Sequence, residues 1–157
     1  MRYLLGAMLL ISGPAWGADE VRLDSRAAQA IVAGCAAHAS AKRQGHAIIV
    51  VDSGGQLVAA VRMDGNGFGI MDFAQAKAEA SAAWGARTSQ LANGASETAG
   101  FASAPHVVIV PGGVPIYAAD GRQIGAVGVS GEAPTDDEAC AVAGIEAAGL
   151  RAVRSSR

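Results

Sequence analysis

An α+β domain, with a five-stranded antiparallel sheet flanked by helices, is what this sequence predicts. Short β-branched apolar runs are separated by glycine-rich turns, and longer stretches between them carry apolar residues at helical spacing. A chain of 157 residues that is 51% hydrophobic also supplies one core of ordinary size.

Each element follows from its local chemistry. Asp24 or Ser25 caps a first helix running to about Arg43, with Ala28, Ile31, Val32, Cys35 and Ala39 on its apolar stripe and Gly45 ending it. His46 to Val51 is a continuous β-branched run suited to a central strand. Ser53-Gly54-Gly55 makes a tight turn, and Gln56 to Met63 returns as the partner strand. A loop with three glycines, Asp64 to Gly69, leads to a helix from about Met71 to Gly85, whose apolar side is mostly small. Thr88 to Ala92 is a short further helix, set off at Arg87 or Thr88, and Asn93 to Pro105 is polar, irregular and the expected mobile loop. Strands follow at His106 to Val110, Val114 to Ala118 and Arg122 to Val129, turned by Pro111-Gly112-Gly113 and Ala119-Asp120-Gly121. Thr135-Asp136-Asp137-Glu138 has the form of a capping box at the start of a last helix. Hairpin-linked strands pair antiparallel, and the helices cover the sheet.

Composition narrows the partners. The net charge of -2, with only seven aromatic residues, leaves no basic stripe or stacking platform for nucleic acid. The same mild acidity argues against anionic membrane surfaces. At the start, Arg2 precedes an apolar run from Tyr3 to Ile11, Gly13-Pro14 breaks it, and Ala15-Trp16-Gly17 offers small residues where a signal peptidase cuts. Residues 1–17 therefore read as a signal peptide and residues 18–157 as one exported domain, periplasmic or secreted, with no membrane attachment after cleavage. In an oxidising compartment Cys35 and Cys140, each on an apolar helix face, are either two buried thiols or a disulfide joining the first helix to the last.

The segments VVDSGGQLVAAVRMDG, the Lys77-Ala78 helix, PGGVPIYAADGRQIGAVGVSG and TDDEACAVAG, in this order, resemble the HbpS/GlcG family, also called the heme-degrading or DUF336 family. The resemblance runs from about Ser25 to Leu150. It implies a profilin-like fold, a homo-oligomer, and binding of heme or a related tetrapyrrole for capture, buffering or redox sensing.

Several residues are candidates for such a site. Arg62, Met63 and Asp64 leave the hairpin beside the glycine loop, and Lys77 follows in the next helix. They either form ion pairs, Arg62–Asp64 or Asp64–Lys77, or line a mouth where a cation grips a ligand carboxylate such as a heme propionate. An axial contact to heme iron needs one His, Met, Cys or Tyr. His46 and His106 are the first candidates as strand-opening histidines, ahead of Met63, Met71 and His38. Thr88, Gly112 and Gly113 complete the cofactor-contacting set; the glycines either expose amides to an anionic group or simply make a turn. No residue pair has zinc-site spacing, and there is no nucleophile elbow, P-loop or dinucleotide fingerprint. Two readings of other classes stand beside ligand binding. One is an enzyme, degrading heme oxidatively or acting on a small metabolite of a dehydrogenase pathway, with Asp64, Lys77 and His106 as acid–base nominees. The other is a structural partner of an exported enzyme.

Overall fold

A computed structural model describes residues 22–154; the segment read as a signal peptide lies outside the described residues. The element order is α1 (Ser25–Ala41), β1 (Ala47–Asp52), β2 (Leu57–Arg62), α2 (Phe68–Trp84), α3 (Thr88–Glu97), a 3-10 turn (Phe101–Ser103), β3 (Gly113–Tyr117), β4 (Gln123–Ser130) and α4 (Pro134–Ala147). The strands form one antiparallel sheet in the order β2-β1-β4-β3. The α+β class is as expected, but the described sheet has four strands, not five.

The missing strand is the run His106–Val110. Gly112, which was to turn that run back, is already bound to the ladder: its carbonyl accepts from the Val129 amide at 2.9 Å. The chain before β3 therefore approaches along the strand direction instead of folding beside it. β4 is filled on both sides by β1 and β3. His106 itself sits in a turn with φ 55°, a left-handed conformation that no strand contains. β-branched content alone cannot create a partner edge.

Two further expectations change. The predicted mobile loop is partly ordered: α3 continues to Glu97, and Phe101 packs edge-on against Trp84 with ring centroids 5.0 Å apart. The capping box at Thr135 does not form. Pro134 opens α4 behind an Ala133 cap that makes no side-chain bond, and Glu138 reaches to Arg87 instead.

The sheet divides two layers. Ile48 and Val50 of β1 face α1 and α4 in the larger core with Ile31, Val127, Val129 and Ile145, while Ala47, Ile49 and Val51 face Ala74 and Ala78 of α2. The period-two alternation of a strand produces this split. Small residues set the spacing of both layers. A Cβ at Gly144 would stand 2.5 Å from the Ile31 carbonyl oxygen, so α4 lies directly on α1. Cys35 and Cys140 form a disulfide across that contact, with Cα atoms 4.8 Å apart, which decides between the two sequence readings. No helix among the described residues is long and apolar enough to cross a membrane.

Candidate functional site

The N-terminal end of β1 and the C-terminal end of β4 meet where Ala47 pairs with Ser130. There a carboxylate, a cation and an imidazole are buried together. Lys77, 1% exposed on α2, donates from Nζ to Asp137 Oδ2 at 2.9 Å and to the Val129 carbonyl at 2.9 Å. His46 Nδ1 lies 3.1 Å from Asp137 Oδ1, and the same oxygen accepts from the Glu132 amide at 3.1 Å. Asp137 thus sits beyond the sheet end and ties α2 on one face to α4 on the other. Gly112 makes the passage: a Cβ there would stand 2.8 Å from Lys77 Nζ and 3.0 Å from Asp137 Cβ. The buried pair satisfies its charge internally, as groups removed from water must.

This arrangement sorts the sequence candidates. His46, Lys77, Thr88, Gly112 and Gly113 converge: buried Thr88 Oγ1 accepts from the Gly113 amide at 2.9 Å, and a Gly113 Cβ would stand 2.5 Å from Thr88 Cγ2. Met63 joins at the edge, its sulfur accepting from the His46 amide at 3.5 Å. Arg62 and Asp64 do not join. Both are exposed; Arg62 donates to the Asn66 carbonyl, and among the described residues no ion pair links Arg62 to Asp64 or Asp64 to Lys77. The expected mouth of those three residues is absent because Lys77 is spent on Asp137. His46 and His106 do not flank one pocket either. His46 is fully buried, with Nε2 lacking a hydrogen-bond partner, whereas His106 is exposed in its turn.

A cleft of about 610 Å³ opens beside this knot, between α1, α3 and α4. Pro111, Ala139, Val142 and Ala143 form its apolar lining, with His38, Arg87, Ser89, Thr135, Glu138 and Glu146 as the polar groups. Arg87 Nη1 and Glu138 Oε1 pair at 3.0 Å, with side chains 27% and 16% exposed. Two buried atoms of cleft-lining residues have no protein partner: His38 Nε2 and Glu138 Oε2. Sequence reasoning ranked His38 last and read Glu138 as a cap. Acids in the first turn of a helix suit its dipole, so no separate signal in the sequence marked Glu138.

The HbpS-like family model, described as haem degrading protein HbpS-like, matches residues 23–146, from the residue before the α1 cap almost to the end of α4. The chain belongs to the HbpS-like family.

Solved structures agree. A double mutant of Streptomyces reticuli HbpS is 26% identical, covering 90% of this chain and 97% of that one, with a TM-score of 0.76. The heme complex of PduOC is 23% identical over 85% of this chain and 100% of that one, with a TM-score of 0.78. Protein ORFY of Klebsiella pneumoniae, from DUF336, is 23% identical over 87% and 98%, at 0.77. The last two show the HbpS-like fold alone. No curated protein matches the chain.

Proposed function

We propose that this HbpS-like protein binds a tetrapyrrole, with heme as the ligand, in the cleft between α1, α3 and α4. The observation that carries the reading is the composition of that cleft: an apolar wall with one guanidinium and one imidazole beside it, the carboxylates of Glu138 and Glu146 completing the polar lining. A porphyrin is a flat apolar body with two carboxylates and, in heme, an iron with open axial positions. The volume falls within the range of small-ligand pockets, roughly 300–1,000 Å³. Pro111, Val142 and Ala143 would meet the ring. Arg87 would hold a propionate, since its bond to Glu138 uses Nη1 alone of a five-donor fork. His38 would supply the axial nitrogen; of the three histidines it is the one that lines this cleft, and its Nε2 has no competing partner. The family's haem description and the existence of a heme complex on the same fold support the reading.

We place the protein outside the cytoplasm, for capture, buffering or redox sensing, in line with the signal-like residues 1–17 and with a disulfide of the kind oxidising compartments sustain. Self-association is part of the proposal: Phe68 is 83% exposed and Leu57 59%, two large apolar side chains that a second copy could cover.

Hemin titration of the chain from Ala18, followed in the Soret region, tests the site, with light scattering on the same samples for the assembly. Saturable binding is expected. His38→Ala should abolish or shift the band, and Arg87→Ala should weaken affinity about tenfold, the loss of one charge-assisted contact of about 1.4 kcal/mol. A free-hemin spectrum at every concentration of the unsubstituted chain would overturn the proposal. Oxidative breakdown of heme is a second reading, favoured by the unpartnered Glu138 Oε2 as a proton-transfer group in the cleft. Peroxide-driven loss of bound heme no faster in the unsubstituted protein than in Glu138→Gln would remove it.

A further inference from the structure

Arg87 is held from two directions, and the two holds meet. On one side, Glu138 Oε1 takes its guanidinium at 3.0 Å, and the preceding residue, Asp137, is anchored by Lys77 at 2.9 Å. Successive helical residues point about 100° apart, so one rigid turn of α4 sends Asp137 into the sheet end and Glu138 into the cleft. On the other side, Thr88 follows Arg87 in the chain and accepts from the Gly113 amide at 2.9 Å. Gly112, next to Gly113, packs so closely on Lys77 that a Cβ would stand 2.8 Å from Nζ. The path therefore closes on itself, from Arg87 through α3, β3, α2 and α4 back to Arg87.

We infer that Lys77 is a positioning residue for carboxylate recognition: through this closed ring it sets where the Arg87 guanidinium stands in the cleft. The inference rests on the proposed ligand only for what Arg87 recognises; the ring itself is a property of the fold. Lys77 touches no ligand. Its role is to fix the rotation of the first turn of α4, and thereby the carboxylate that aims Arg87. An open chain of contacts would let Arg87 swing with its long, rotamer-rich side chain. In the closed ring, loosening any link loosens the aim.

The test uses Lys77→Met/Asp137→Asn, which removes both charges together and leaves no buried charge uncompensated. Two readouts are needed. The first compares hemin with hemin dimethyl ester, which lacks the carboxylates. The unsubstituted protein should favour the acid about tenfold or more, and the double variant should fold, keep its Soret maximum and lose most of that preference. A merely structural role would weaken acid and ester alike, and that result would overturn the inference, as would an unchanged preference. The second readout needs no heme. Urea unfolding across the cycle of this double variant with Arg87→Met should show a coupling of about tenfold in the unfolding constant. Additivity within about twofold would overturn the ring, whatever hemin does. If the double variant fails to fold, the same cycle is run with Thr88→Val, which opens the ring at its far link. A chain that binds no hemin but shows the coupling would refute the proposed ligand and keep the ring.

Discussion

At the scale of single residues, Lys77 and Asp137 dominate. Lysine and aspartate in a sequence are expected at the surface, and nothing in the spacing of residues 60 apart brings these two together. Their 1% and 2% side-chain exposure is a consequence of where two helices end relative to one sheet. The single substitution Lys77→Met should therefore be far worse than the paired one. It leaves the Asp137 carboxylate buried with only His46 and the Glu132 amide, and it should cost about 3–5 kcal/mol. Chemical denaturation of the single variant against Lys77→Met/Asp137→Asn checks this; equal midpoints would refute it. His46 fits the same logic. It was ranked first as an iron contact because it opens a strand, yet it opens that strand inside the protein, with Nδ1 turned to Asp137.

At the scale of elements, the sequence was read well wherever an element is decided by its own residues. α1, with Asp24 Oδ1 accepting from the Ala27 amide at 2.7 Å, ends within two residues of its expected limit. The β1–β2 hairpin turns on Asp52, which accepts from the Gly54 and Gln56 amides, both at 2.9 Å. Reading failed where a neighbour decides. His106–Val110 has the composition of a strand and no edge to join. Gly125 and Gly128 lie inside β4, and each is required by what lies on it. A Cβ at Gly128 would collide with the Ala74 carbonyl oxygen and stand 2.9 Å from Ala78 Cβ. Gly128→Ala should consequently push α2 off the sheet and destabilise the fold by about 1–3 kcal/mol, the range for overpacking. Thermal unfolding of that variant beside Gly69→Ala, where a Cβ meets nothing within 4 Å, isolates the packing effect. Equal melting temperatures would refute it.

At the scale of the whole molecule, the Cys35–Cys140 bridge closes a loop across a sequence separation of 105 and fastens α1 to α4 beneath the cleft. A cross-link over about 100 residues removes roughly 4–5 kcal/mol of unfolded-state entropy in the chain-entropy picture. Reduction of the folded protein should therefore lower its melting temperature by many degrees, and Cys35→Ala/Cys140→Ala should match the reduced form. Intact mass of protein from the periplasmic fraction checks both halves of the reading at once: a chain starting at Ala18, two hydrogens lighter than its reduced mass. A fully reduced chain there would contradict the bridge. His38 lies one turn beyond Cys35, and Glu138 two residues before Cys140, so the bridge also holds the unpartnered His38 Nε2 and Glu138 Oε2 at their spacing.

The sequence by itself determined the class of fold, the positions of nearly all helices and strands, and the residue types available for binding. These are short-range matters: propensity, period and turn chemistry act within a few residues of chain. The tertiary structure alone decided which candidates meet. It withdrew Lys77 from the hairpin end and gave it to Asp137, sealed His46, exposed His106, and placed His38, Arg87 and Glu138 along one cleft. Each of those outcomes depends on contacts between residues dozens of positions apart, where burial and charge pairing outweigh local preference and no spacing rule reaches.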